Sequence, residues 1–488
     1  MSRIAILSWL SKNALISFLC IPSLICGLGF AAEAPRATHY RLQIKVIPSE
    51  ERMSGIAQIT LANATERDLG EIHFLLYRLL SVDGAEDERG APLGFRQEVV
   101  AMSDEKNWQV NSVSIRLHHP LRKGETTEIT LKYGGAIFGY REVMSYVRDH
   151  IGEDYSLLRQ DALAYPVPTE PSLRSMFGTT DTRFDYEMEI TVPSGTVVAC
   201  GGLLRGTSAD KNTETFRFVS NRPTWRMDIA AANFKVLRNS AGNLVVYVLG
   251  EDESRAPNLL AEMERVTAFY TSRFGPSEKA KGYTVIETPG GYGSQAGDGY
   301  ITLAAEALKD PHGIYQIYHE IGHAWNAKVK PELQRVRWFD EAFASYFEAL
   351  AVREFNGRNA FDDLMSQYRE RFRHDAQRDA RNANTPIADY GKEELGDNSY
   401  TKGAWSLFVL HEIVGDKNFN QIMRTFLNDF YTRPADFKDF EGVVAQVSGR
   451  DLSRYFNEWI FGTESSQLLL GEASIQEIAQ RYGEASTR

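Results

Sequence analysis

The chain has 488 residues, 43% of them hydrophobic and 24% charged, with a formal net charge of −11. So much apolar material in so long a chain excludes an intrinsically disordered protein and leaves room for about two or three domains. The acidic balance excludes a nucleic-acid binder working through a basic face, and three cysteines exclude a disulfide scaffold.

Residues 1–32 read as an export signal. Arg3 and Lys12 supply the positive start, Ala14 to Phe30 is almost wholly apolar, and Gly29-Phe30-Ala31-Ala32 offers small residues for cleavage after Ala31 or Ala32. The apolar run is near the lower limit for an uncleaved membrane anchor, and Pro22, Gly27 and Gly29 speak for cleavage. Cleavage removes Arg3 and Lys12, taking the net charge to −13, and removes Cys20 and Cys26, leaving Cys200 with no intramolecular disulfide partner. Ile25 stands before Cys26 where lipid attachment requires a small residue. The expected location is periplasmic or secreted, with no membrane contact beyond such an N-terminal anchor.

From Tyr40 to about Val236 the apolar residues recur with period two, as in Leu42, Ile44, Val46; Ala57, Ile59, Leu61; Ile129, Leu131, Tyr133; and Tyr186, Met188, Ile190, Val192. Turn signals such as Lys123-Gly124 and Pro193-Ser194-Gly195 separate these runs, which predicts an antiparallel β-rich domain over 36–238. After Asn239 the pattern changes. Leu244 to Leu249 and Tyr283 to Ile286 read as buried strands around a helix that carries Leu260, Met263, Val266, Phe269, Tyr270 and Phe274 on one side and stops at Gly275-Pro276. The Gly-rich stretch Gly290 to Gly297 reads as a turn. From Ile314 onward helices are expected over Glu341 to Phe355, Ala404 to Val414, Asn418 to Tyr431, Asp436 to Val447 and Leu452 to Phe461, with Arg369 to Arg381 a solvated helix face. The fold class is therefore α+β, with a mixed domain turning all-helical over 239–465 and a short helical tail over 466–488.

Within that second domain lies His319-Glu320-Ile321-Gly322-His323. On a helix, positions i and i+4 share a face, so both imidazoles reach one metal ion while Glu320 sits beside its open coordination position. A core helix with packing histidines is the alternative, but two basic side chains buried on one turn need partners, and a metal supplies them. Catalytic zinc usually takes three protein ligands, so one more is required. Glu341, at the start of the helix that follows Trp338-Phe339-Asp340, is the candidate third ligand, and Glu348, two turns along nearly the same face, is the alternative. Asp340 is a candidate for orienting a ligand histidine.

Taken together, His319 to His323, the Trp338 to Glu348 segment and Tyr400-Thr401-Lys402-Gly403-Ala404-Trp405 resemble the gluzincin metallopeptidases of the aminopeptidase N and leukotriene hydrolase family, with its HExxH helix, WxxEGxA helix and YxKGA segment. The resemblance runs from about Tyr283 to Trp459, and more loosely through the β domain. It implies a thermolysin-like catalytic domain, a bound Zn2+ and a peptide substrate, with Glu320 as general base and acid and Tyr400 stabilising the transition state. Seventeen residues, Ala324 to Asp340, separate the second histidine from Glu341, one fewer than the family's usual spacing. The tract His323 to Pro331 also looks like that of the glycyl aminopeptidases, another gluzincin group.

A further departure bears on substrate. Where the family carries a GxMEN segment whose glutamate grips a free α-amino group, this chain has Gly290-Gly291-Tyr292-Gly293-Ser294-Gln295-Ala296-Gly297, with Gln295 at about the glutamate's place. A neutral amide lacks the charge-assisted bond that such recognition uses. Gly293 and Gln295 are still the candidate substrate-binding residues, on a segment able to form an edge strand against an extended peptide. An aminopeptidase-like zinc hydrolase is expected. An endopeptidase, a non-peptide hydrolase such as an epoxide hydrolase on the same scaffold, and a zinc-stabilised binding protein are the alternatives. The sequence carries no sign of oligomeric state.

Overall fold

A computed structural model describes residues 34–179, 182–310 and 312–483. The segment read as an export signal lies outside the described residues. Contacts divide the chain into two compact units, residues 34–260 with 282–310, and residues 261–281 with 312–483. This division differs from the change of sequence pattern at 238/239, because the strands that follow Asn239 cluster with the first unit.

The first unit is built of sheets. A seven-stranded sheet runs in the order Leu203–Ala209, Thr213–Val219, Asp185–Pro193, Arg36–Ile47, Arg52–Ala62, Thr126–Ala136 and Leu80–Asp87. Its strands alternate buried and exposed along their length, with Leu42, Ile44, Ile59, Leu131 and Ile190 inward. All its pairs are antiparallel except one: Arg36–Ile47 and Asp185–Pro193 run parallel. A parallel pair requires a long crossover, and here most of the unit's chain intervenes between the two strands. Period two looks the same in either pairing, so the sequence pattern could not show it.

A second sheet, of five strands, has the order Lys235–Arg238, Leu244–Val248, Tyr283–Thr288, Tyr300–Ala304 and Gln295–Gly297. Its three central strands are parallel and buried throughout, as parallel strands covered on both faces are. Tyr155, Phe234, Tyr247, Ile286 and Tyr300 join it to a three-stranded sheet in one core cluster. A fourth sheet, of Leu69–Tyr77, Gln109–Leu121 and Gly94–Ala101, is antiparallel.

Helices make up the second unit. The principal ones are α1 (Ala256–Phe274), within which the division between units falls, α2 (Ile314–Gly322), α3 (Phe343–Asn356), α4 (Arg358–Arg378), α5 (Lys402–Asp429) and α6 (Phe437–Ser448). The expected helices Ala404 to Val414 and Asn418 to Tyr431 both form within α5, separated at Gly415, whose φ +77° and ψ 161° are not helical. No helix among the described residues is long and apolar enough to cross a membrane. On α4 the charged stretch is more than a solvated face. Arg369 donates to the carbonyls of Leu468 (2.8 Å), Leu469 (2.9 Å) and Ala473 (2.9 Å), and Arg373 to that of Leu469 (2.9 Å), so both satisfy the end of the helix Glu464–Leu470.

Candidate metal centre

Two helices bring the metal-type residues together. α2 carries Ile317, Tyr318 and Ile321 into the core, and the remaining face presents His319, Glu320 and, at its C-terminal end, His323. Gly322 lets α2 lie close to α3: a Cβ there would stand 3.4 Å from Ala344 Cα. Opposite, the chain enters α3 through Arg337, a non-glycine residue at φ 59°, and a π-helical turn, Trp338–Ala342. That turn is fixed by aromatic packing, with Trp338 5.2 Å from Phe440, Phe339 4.9 Å from Phe437, and the Trp338 indole donating to Ser406 Oγ at 2.9 Å. Glu341 sits on this turn, two residues before the α-helix proper begins at Phe343. Wide turns of this kind recur at functional sites.

The donor atoms converge. Glu341 Oε2 lies 3.1 Å from His319 Nε2 and 3.5 Å from His323 Nε2. Ligand atoms on a tetrahedral zinc, each about 2 Å from the ion, stand about 3.3 Å apart, so these spacings suit a shared ion. Ligand atoms of His319, Glu320 and His323 also lie within 4.8 Å of one another, which places the Glu320 carboxylate at the same centre. Glu341 is nearer to His323 Nε2 than is Glu320, whose Oε2 is 3.9 Å from it. Glu341 is therefore placed as the candidate third donor, with Glu320 beside it.

Behind each imidazole is a carboxylate. His323 Nδ1 meets Asp340 Oδ1 at 2.7 Å, and Asn326 Nδ2 donates to the same oxygen at 2.9 Å. His319 Nδ1 meets Glu348 Oε2 at 3.2 Å, and the Tyr368 hydroxyl donates to that oxygen at 3.0 Å. Glu348, the alternative third ligand, thus faces the wrong nitrogen for that part, and it orients His319 instead. Such outer partners fix the ring and raise its basicity.

Charge in the pocket follows from these contacts. Burial opposes protonation of His319, but hydrogen bonds to Glu341 and Glu348 outweigh it and set its pKa well above the ordinary value. His323 is buried as well, yet Asp340 and Glu341 raise it to about 9. Burial pushes the Glu320 carboxyl up against the lowering pull of His323 and His319. Glu341 stays below the usual carboxylate range despite burial, because Arg337 and His323 stabilise its anion. The pocket is built for positive charge near its two imidazoles, which a divalent cation supplies with both rings neutral.

Tyr400 closes one side. It ends the turn Gly396–Tyr400 just before α5, and its ring stacks on His319 with centroids 5.6 Å apart and planes at 19°. Gly403 permits this placement, since a Cβ on it would fall 2.8 Å from Ala342 Cβ. Arg337 is the residue that sequence reasoning missed. Its guanidinium pairs with Glu341 Oε1 and lies 5.5 Å from the Tyr400 ring centroid. No motif or periodicity marks a left-handed arginine.

Gln295 and Gly293 belong to the first unit. Gly293 sits in a turn at φ +71°, and Gln295 opens the edge strand Gln295–Gly297 of the five-stranded sheet. The Gln295 side-chain oxygen accepts from Arg159 Nη1 at 2.8 Å and from Arg226 Nη2 at 3.2 Å. Those arginines are themselves buried against Asp149, Asp161 and Asp228. Both lone pairs of the amide oxygen are thereby used.

Residues 306–459 match the family profile described as Peptidase family M1 domain. The matched stretch holds every residue of the centre described above. Its two imidazoles and one carboxylate are a zinc-type donor set, and zinc is the metal they fit. Among curated relatives, the chain is 21% identical over 314 residues to Tricorn protease-interacting factor F2 of Thermoplasma acidophilum, covering 61% of this chain and 39% of that protein. It is 23% identical over 274 residues to Probable aminopeptidase 2 of Sulfurisphaera tokodaii, covering 51% and 34%. The chain thus spans well under half the length of these relatives. Among solved structures, an M1 zinc metallopeptidase from Deinococcus radiodurans shares the fold with a TM-score of 0.60 at 18% identity, over 91% of this chain and 96% of that one. A mutant of a Deinococcus radiodurans M1 zinc metallopeptidase, bound to a Tyr-Ser-Ala substrate, aligns with a TM-score of 0.59 at 19% identity, over 89% and 96%.

Proposed function

We propose that this chain is a zinc-dependent peptide hydrolase of the aminopeptidase kind, carried out of the cytoplasm by residues 1–32. The convergence of His319, His323 and Glu341 Oε2 on one centre, with Glu320 beside it, carries the reading. The charged start and apolar run of residues 1–32 support export.

Zinc, when bound by His319, His323 and Glu341, supplies Lewis acidity to the scissile carbonyl and to the attacking water. Glu320 accepts the water's proton on its carboxylate and passes it to the leaving amine. A carboxyl raised by burial suits both halves of that transfer. Tyr400, packed against His319, donates its hydroxyl to the oxyanion as it forms. Arg337 keeps the Glu341 carboxylate aimed at the imidazoles by holding its other oxygen.

Glu320→Gln tests this directly. Turnover of aminoacyl fluorogenic substrates is expected to fall by about 10²–10⁴-fold, with zinc content unchanged by elemental analysis. Retention of most activity would remove Glu320 from the mechanism, and zinc without any turnover in the wild type would favour a binding protein.

The bonds at Gln295 favour a second reading on substrate. An amide oxygen already accepting from two guanidinium groups offers nothing to a substrate ammonium. Peptides with a blocked N-terminus are then expected to be cleaved with a kcat/KM within about tenfold of their free counterparts, the span of a single weak contact. A preference for free N-termini of a thousandfold or more would restore the strict exopeptidase.

A further inference from the structure

The strand Gly94–Ala101 pairs along one edge only, with Gln109–Leu121, and among the described residues no strand or bridge engages its other edge. It is eight residues long and exposed at every position except Val100, which is half-buried. Phe95 is 37% exposed and Val99 54%. Natural sheets usually blunt such an edge, because a row of outward N–H and C=O groups beside apolar side chains accepts another strand. The strand is anchored rather than frayed: the Gln97 amide accepts from the Val82 N–H at 2.9 Å and donates to the Val82 carbonyl at 2.8 Å.

We propose that the occupant is a second copy of this chain, the two Gly94–Ala101 strands pairing antiparallel about a two-fold axis normal to the sheet. Such an axis keeps each sheet face on its own side, so residues opposed across it share a face, and the axis must pass through a residue position. Centred on Arg96, it opposes two arginines. Centred on Glu98, it opposes two glutamates. Both are unfavourable, since like charges directly opposite destabilise a ladder.

Centred on Gln97, every pair is compatible. Arg96 meets the partner's Glu98, and Phe95 meets the partner's Val99, each twice by symmetry. Opposite charges and aromatic against β-branched side chains are the cross-strand pairs that stabilise. Arg96 already donates to Glu71 at 2.9 Å on its own sheet, and a guanidinium has donors enough for a second carboxylate. The segment Phe95-Arg96-Gln97-Glu98-Val99 is thus complementary to itself in one register and not in its neighbours.

Sedimentation of the full chain over a concentration series tests this. The wild type is expected to show a dimer. Glu98→Arg, which leaves the Arg96–Glu71 bond alone, and Arg96→Glu are each expected to weaken it about tenfold or more. The double variant Arg96→Glu/Glu98→Arg should restore it, which a merely misfolded single variant could not explain. Gln97→Cys should cross-link to itself under mild oxidation, since directly opposed Cβ atoms stand about 5 Å apart, near the reach of a disulfide. A wild type that stays a single chain at all concentrations overturns the proposal. So does a dimer indifferent to the charge variants and uncross-linked at position 97, which would use another surface.

Discussion

At the metal centre, carboxylates do three separate jobs that their chemistry alone would not distinguish. Glu341 faces both Nε2 atoms, Asp340 and Glu348 stand behind the Nδ1 atoms, and Glu320 stands beside the shared centre. Position relative to the ring nitrogens decides the role. Asp340→Ala removes the 2.7 Å partner that sets the His323 tautomer, and Glu348→Gln weakens the corresponding hold on His319. Each is expected to lower zinc affinity by about 10–100-fold, measured by competition with a chromophoric chelator. Unchanged affinity in both would show that packing, not these carboxylates, orients the rings. Helix periodicity made His319, Glu320 and His323 legible as one group, but it left Glu341 and Glu348 as alternatives on nearly the same face, and only the ring nitrogen that each meets separates them. Arg337 was illegible: its part depends on a backbone conformation that arginine rarely adopts.

Elements hold these residues by close approach. The π-helical turn Trp338–Ala342 and the start of α5 touch where Gly403 meets Ala342, a contact with no room for a methyl group. Gly403→Ala is expected to cost about 1–3 kcal/mol by overpacking, read from the urea midpoint. Any shift of the turn should also appear as weaker zinc binding. Further along α5, at the Gly415 bend, His411 Nδ1 meets the Tyr346 hydroxyl at 2.7 Å and His411 Nε2 meets Asp416 at 2.6 Å. Burial and the nearby Arg353 lower the His411 pKa from 6.5 to about 4, against the pull of Asp416. A folded pKa below the unfolded one means that stability is complete above about pH 6.5 and is lost as pH falls towards 4. The loss has an order of 3 kcal/mol. His411→Asn should flatten this part of the stability profile relative to wild type, and parallel profiles would count against it. Both helical stretches and the break between them were legible in the sequence, since a Gly reads as a stop.

Across the molecule, all the metal-centre residues lie in the second unit, on α2, the turn leading to α3, α3 itself and the turn leading to α5. A ligand that binds only folded protein stabilises whatever must be folded to bind it, by about 2.7 kcal/mol when present at a hundred times its dissociation constant. The ligands here come from distant stretches of chain, with His319 and Glu341 on separate elements, so no local fragment retains the site. Withdrawing zinc with a chelator should therefore abolish turnover. It should also speed hydrogen exchange in α2, α3 and the first turns of α5, with the strands Arg36–Ile47 and Arg52–Ala62 of the first unit as the internal reference. Asp340 and Glu341 would then depend on Arg337 and the imidazoles alone for counter-charge. Adding back one equivalent of zinc should restore protection and activity together. Recovery of one without the other would separate the metal that shapes the helices from the metal that serves catalysis.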